Sequence, residues 1–573
     1  MKRTKRFGAA LLLMVYVIAM FAMTGCGPKV LSQYDANANY IYIQAFTGGL
    51  GNQFLDYAIT QFNTKYSGEN GTEKWVVEIL TTNTKDDGAK FYENFKANAS
   101  TADIYYASNA SMWEEMIQAG YLMDLSDVYN SKPDGENGLT VQEKLKDEDG
   151  LYNELFTADG KEGIYGIPGA ELISGMVVDK EVFVSNGWFT AEAIENKAAL
   201  ESTLGYSLKS AVFKGKDVLV SAQQEGEVSY KDVILTPGKD GKYGTFDDGQ
   251  PTTIEQWNYM IDAIAANGYK SFVWPGIAPE YTNCIIWSVF GQYMGEEDMY
   301  NWLSYGGNEY QYTTESGETV TVGKENAYDN YKNPALSKAL QFFADNVPVN
   351  AYSKSLTNLD THTDTQGYFV YGESSAKMEK VAILADGVWW ENEARGKFAS
   401  LESKGRGYGQ VEYTFLLPPA FEGQKLAATD SWFVCSENGT MFAAATENKA
   451  KEEKIKEFLS MTLSDEALMY FTKQTGCPRP FTYEMTQDDL NEMTPFARNA
   501  WAVYTSENIH FGRNSLIYHT TNGIPLGNNS EWSSSIMTNG TLSNFVNPIQ
   551  AMTKGYTVEQ IIQGMYDYAK SVR

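Results

Sequence analysis

The chain has 573 residues, with 73 acids against 45 bases, a formal charge of −28 and 14% aromatic residues. A surface that acidic repels phosphate backbones and anionic lipid, which argues against nucleic acid as a partner. Its four cysteines show neither CxxC nor metal-ligand spacing, so a disulfide scaffold is excluded, and three scattered histidines give zinc catalysis no support.

The chain opens with Lys2, Arg3, Lys5 and Arg6, an apolar run over 7–23, and then Thr24-Gly25-Cys26. A basic start, an apolar run just short of the ~20 residues of a membrane span, and small residues before a cut site predict a secretory signal peptide over 1–25. Losing those four bases takes the formal charge from −28 to about −32. A linker rich in Ser, Asn, Asp and Ala follows, over 26–39.

YIYIQAFTGG, from Tyr40, alternates apolar and polar positions and predicts a strand running into a glycine loop. Phe54, Ala58, Phe62 and Tyr66 recur at helical spacing up to Ser67-Gly68. Strand at 75–80, helix at 91–97, strand at 103–108 and a short helix ending at Gly120 complete a βαβαβ order. That order predicts a mostly parallel sheet covered on both faces, with ligands beyond the carboxyl ends of its strands.

GIPGAELISGMVVDK turns into an apolar strand, and a helix capped by Thr252 or Thr253 runs to Gly268 before a strand at 271–274. Between them lies LTPGKDGKYGTFDDGQP, where Asp240, Asp247 and Asp248 fit either a structural calcium ion or a solvated turn. Residues 304–332 form a polar insertion without clear periodicity. SWFVCS predicts a strand, and helices follow at 449–461, at 465–475 under a Ser464 cap, and at 557–571. Cys284, Cys435 and Cys477 read as buried free thiols.

No nucleophile elbow, Walker loop or dinucleotide fingerprint is present. Ser374 and Lys377 match SxxK without its companion motifs. With 73 acids, a glycosidase pair of carboxylates can always be drawn, so that option stays open. The wealth of Tyr and Trp suits an amphipathic ligand such as a sugar, whose flat C–H faces want aromatic planes and whose hydroxyls want polar side chains.

Four segments in order, DIYYASNASMWEEMIQAGYLMDLSD, GIYGIPGAELISGMVVDKEVF, ILADGVWWENEA and EFLSMTLSDEALMYFTKQTGCPRP, resemble the family-one extracellular solute-binding proteins of sugar ABC importers, to which maltose-binding protein belongs. The resemblance runs from about Tyr40 to Pro480. It implies an α/β fold of two lobes with mixed, mostly parallel sheets and three hinge crossings, near Pro168, Asp430 and Pro478. Lobe one would take 40–168 plus 432–477, and lobe two 169–431 plus 478–573.

The resemblance also implies a non-enzymatic, monomeric receptor that needs no cofactor. Such a receptor takes an oligosaccharide between its lobes and passes it to the permease subunits of an ABC transporter. Cys26, in a lipobox-like setting, would carry a lipid anchor at the outer face of a bacterial cell membrane. Trp389 matches the stacking tryptophan of the family motif, with Trp390 packed behind it, and Glu171 matches a hydrogen-bonding acid. Asn109, Thr47, Tyr281 and Trp532 occupy places where relatives carry ligand contacts. Glu391 and Glu393 fall in the first turn of a helix, where acids favour its positive end. A receptor for a peptide or another solute, and a surface glycosidase, are the alternatives.

Overall fold

The computed structural model describes residues 35–46, 48–69, 73–83, 88–107, 112–147, 152, 156–276, 280–303, 308–347, 361–375, 378–513 and 548–571. The amino-terminal part alternates β1 (Asn39–Phe46), α1 (Asp56–Lys65), β2 (Trp75–Asn83), α2 (Gly88–Lys96), β3 (Ile104–Ala107) and α3 (Trp113–Gln118). β4 (Ile167–Asp179) follows, buried at nearly every position, as a central strand covered on both faces must be.

A hairpin of β5 (Leu208–Phe213) and β6 (Lys216–Ser221) leads to α4 (Ile254–Ala266) and β7 (Tyr269–Val273). Thr253 starts α4 with a capping box to Gln256, which decides between the two threonines that the sequence offers. Then come α5 (Glu280–Met294), the hairpin of β8 (Tyr310–Thr313) and β9 (Thr319–Val322), α6 (Pro334–Asn346) and α7 (His362–Gly372). β10 (Lys380–Gly387), α8 (Trp390–Glu393), β11 (Tyr413–Leu416), β12 (Ser431–Ala443), α9 (Lys449–Met461), α10 (Asp465–Thr475), α11 (Pro495–Thr505), β13 (Ile509–Arg513) and α12 (Val558–Ser571) close the order.

The large sheet has the strand order β2-β1-β3-β12-β4-β10-β7, with β11 on β4 and β13 on β12. Strands β1 and β3 are parallel, β12 is antiparallel to both β3 and β4, and β10 is antiparallel to β4 but parallel to β7. β1 and β3 therefore point one way and β7 and β10 the other. The register gives the spacing between the two sets. Ala107, the end of β3, and Pro168 both pair with Thr440, whereas Gly387, the end of β10, pairs with Ser174. Two sets of carboxyl ends thus face each other across about six residues of β4, or ~20 Å of strand.

Three chain passages hold this gap. β4 and β12 pair along it, and Glu171 N–H donates to the Pro478 carbonyl at 3.0 Å, adding the third passage. Beside it the Arg479 guanidinium is buried and donates to the carbonyls of Pro168, Gly169 and Thr462 at 2.8, 3.3 and 3.1 Å. Lys239, buried in the Asp/Gly-rich loop, donates to the Asp430 carbonyl at 2.6 Å and Ser431 Oγ at 2.9 Å, where β12 begins. Both long side chains tie the ends of the passages by charge-assisted bonds to neutral acceptors.

The structure departs from the sequence reading in two places. The insertion at 304–332 contains the β8–β9 hairpin, which buries Tyr310 and Tyr312, and a 3₁₀ run at Lys324–Lys332. Each strand is only four residues long, too short for its alternation to stand out from the polar background. The strand expected at SWFVCS continues to Ala443, through Asn438-Gly439, which reads locally as a turn. Gly439 keeps the strand in place because a Cβ there would meet Tyr106 Oη at 2.3 Å. Cys284, Cys435 and Cys477 are all buried, as the sequence predicts.

Candidate functional site

The carboxyl end of β10 delivers Trp389 and Trp390 to opposite environments. Trp390 is fully buried, in edge-to-face or tilted contact with Phe369, Phe398, Tyr413 and Phe496. Trp389 is half-buried at the start of α8. Its six-membered ring lies over Gly387, where a Cβ would come within 2.1 Å of Cζ3. The other edge of Trp389 meets Gly49, from the loop after β1, whose ideal Cβ would be 2.9 Å from Trp389 Cβ. Trp389 therefore bridges the facing strand ends.

Tyr281, in the first turn of α5 beyond β7, meets Trp389 edge-to-face with centroids 5.9 Å apart. The His362 ring, at the start of α7, is parallel to Tyr281 at 6.5 Å. Thr361 fixes that helix start through a capping box with Asp364. Three aromatic planes thus gather beyond the ends of β7 and β10, where parallel strands leave side chains and backbone free to meet a ligand.

A polar chain runs inward from these rings. His362 Nε2 lies 3.3 Å from Glu393 Oε1, and the Gln366 amide donates to Glu393 Oε2 at 2.7 Å and to Asp386 Oδ2 at 3.0 Å. Asp386 is buried, and burial together with the charge of Glu393 holds its carboxyl well above the usual range. Burial also raises Glu393, opposed by His362 and Gln366. One amide thus joins two acids, Asp386 buried and Glu393 facing His362. This network is not legible in the sequence, because acids are common along the whole chain and the four residues come from three elements.

Glu391 lies in the first turn of α8, but it is buried there and does not act as an exposed helix-start charge. It accepts from Thr494 Oγ1 at 2.7 Å and Gly409 N–H at 3.3 Å, and burial pushes its carboxyl up to about 7. Glu171 stands midway along the gap on β4. Its carbonyl accepts from the Tyr504 hydroxyl at 2.5 Å, and its charge adds to the burial that raises the pKa values of Cys477, Tyr483 and Tyr504. The structure brings Trp389 and Tyr281 together, and it sets Glu171 beside the third passage. Thr47, Asn109, Trp532 and Cys26 lie outside the described residues.

The Asp/Gly-rich loop is organised by its own donors. Asp240 Oδ1 accepts from Lys242 N–H at 2.8 Å, Asp247 Oδ1 from Thr245 Oγ1 at 2.7 Å, and Asp248 Oδ2 from Gly244 N–H at 2.8 Å. Among the described residues no three His, Cys, Asp or Glu side chains converge as metal ligands would. Asp247 instead shares the neighbourhood of Lys239, whose ammonium burial pulls down to about 7 against the attraction of Asp430 and Asp247. These are hydrogen bonds of the kind that Asp makes within turns.

Comparison with solved structures finds the same architecture. RafE from Streptococcus pneumoniae, in its apo form, superposes with a TM-score of 0.51 at 12% identity, over 94% of this chain and 100% of that one. A chitin oligosaccharide binding protein gives 0.53 at 12%, over 94% and 99%. A protein described as a probable secreted solute-binding lipoprotein from Streptomyces coelicolor gives 0.53 at 10%, over 94% and 100%. No family model and no curated protein matches the sequence. At these identities the likeness establishes the fold, the two-lobe α/β architecture of solute-binding proteins. Among the described residues no helix is long and apolar enough to cross a membrane.

Proposed function

We propose that this protein is an extracytoplasmic receptor that binds an oligosaccharide between its two lobes and delivers it to an ABC import permease, without chemistry on the ligand. The observation that carries the reading is Trp389, half-buried beyond β10, set edge-to-face with Tyr281 and in contact with the facing lobe at Gly49. A sugar ring needs an apolar plane for its C–H face, and the polar chain behind the rings supplies the groups that hydroxyls require. A ligand touching both lobes favours their closure by its differential affinity for the shut state. Lipid attachment at Cys26 and export by the leader over 1–25 belong to the same reading, and they put the receptor at the outer face of the membrane.

The test is calorimetry of the purified chain against short gluco-, xylo- and chito-oligosaccharides, repeated with Trp389→Ala. Loss of a stacked indole weakens binding by about 10- to 100-fold, since a buried aromatic face contributes ~1.5–3 kcal/mol. Unchanged affinity in Trp389→Ala refutes a stacking site at this ring. Release of reducing ends, abolished by replacing one carboxylate, would replace the receptor reading with a glycosidase.

A further inference from the structure

At Gly49, in the loop after β1, the space of the missing side chain is filled by a group from the facing strand ends. Its ideal Cβ would lie 2.9, 3.0 and 3.1 Å from Cβ, Cγ and Cδ1 of Trp389, well inside the ~3.5–4.0 Å at which carbon atoms rest. Neither side can yield. The turn is held by Leu50 N–H donating to the Gly48 carbonyl at 2.6 Å and by buried Leu50, Phe54 and Leu55. Phe54 is locked edge-to-face against Tyr106 and Phe471. On the other side, Val388 N–H donates to the Ile173 carbonyl at 2.9 Å, and Trp390, the residue after Trp389, is fully buried.

From this geometry we infer that Gly49 is a positioning residue for lobe closure: its bare Cα is the seat on which the Trp389 side chain lands when the two lobes meet. This rests on the receptor reading for its consequence in binding, but the seat itself is a contact between two lobes and can be read without a ligand. A methyl group at 49 has no room with the lobes in contact, so it holds them apart and keeps any ligand that bridges them from being enclosed. Gly49 is also in the left-handed region, at φ +59°, where a side chain is strained whether the lobes meet or not.

Gly51 separates the two effects. It is left-handed too, at φ +74°, but a Cβ there would meet only the flexible end of Gln53 in its own loop. The experiment compares Gly49→Ala, Gly51→Ala, Trp389→Ala and the Gly49→Ala/Trp389→Ala double variant in the full chain. Small-angle scattering and thermal melting are read without ligand, and calorimetry is read with the oligosaccharide series.

The expected result is a larger radius of gyration for Gly49→Ala alone, with Gly51→Ala scattering as the parent does. The double variant should return to the compactness of Trp389→Ala, and its melting loss from Gly49→Ala should shrink. Any oligosaccharide that the parent binds should bind Gly49→Ala at least about tenfold more weakly, and Gly51→Ala within about threefold, as a contact confined to the closed state requires. Parent-like scattering and binding in Gly49→Ala overturn the inference, and so does a melting loss that is equal with and without the indole. If the parent binds none of the sugars, the receptor reading falls by itself, and the scattering comparison still decides the role of Gly49.

Discussion

Trp389 and Trp390 leave β10 as neighbours, and the ~100° between successive side chains at a helix start sends one to the rim and the other to the core. The same rotation takes Glu391 inward, where a charge has no solvent and accepts only from Thr494 and Gly409. Its carboxyl, pushed up to about 7 from 4.5, is a folded-state pKa above the unfolded value. Such an acid contributes stability that is fully present below about pH 4.5 and lost as pH rises through about 7. Glu391→Gln keeps the shape, with an acceptor for Gly409 and a donor for Thr494. The variant should match the parent in chemical denaturation near pH 4.5 and exceed it at pH 8, by up to about 3 kcal/mol for a shift of this size. A difference that does not grow with pH would place the charge of Glu391 in solvent.

At the scale of elements, the passages between the lobes are tied by a cation without a carboxylate. Arg479 is fully buried, and the loss of water draws its pKa down to about 10. What offsets that cost is its three carbonyl acceptors, two on the first passage and one at the end of α9. Arg479→Met removes the charge but leaves three carbonyls without donors in a dry site, each costing ~1–3 kcal/mol, so a loss of about 3–5 kcal/mol is expected in urea unfolding. A neutral result would mean that the carbonyls find other donors.

The elements also show what a sequence can reveal. β4 and α10 stand out because apolar runs and caps are local signals: Ser464 accepts from Ala467 N–H, and Gly476 turns left-handed at φ +78°. The β8–β9 hairpin and the second half of β12 do not stand out, since what stabilises them is a neighbour distant in sequence: Asn330 beside Tyr310, and Tyr106 under Gly439. The site divides the same way. Trp389 and Tyr281 were legible from motif and place, whereas His362, Gln366, Asp386 and Glu393 acquire meaning only when α7, β10 and α8 are packed together.

For the whole molecule, the formal charge of −28 is spread along the chain and not gathered in one tail. Its self-repulsion is long-ranged, and 0.15 M salt screens it with a Debye length of about 8 Å, so raising salt from low ionic strength should raise the melting temperature. Binding should respond differently. A neutral oligosaccharide carries no charge for that field to act on, and the stacking proposed for it on Trp389 is apolar. Its affinity should therefore stay within about twofold between 10 and 150 mM salt, because screening changes only interactions between charges. A cationic peptide would be drawn in by the same field and lose affinity as salt rises, with its association rate falling most. Titrations at the two salt concentrations thus separate the receptor classes through the acidity of the chain alone, independently of any substitution. A steep loss of affinity with salt would move the ligand from neutral sugar to cation.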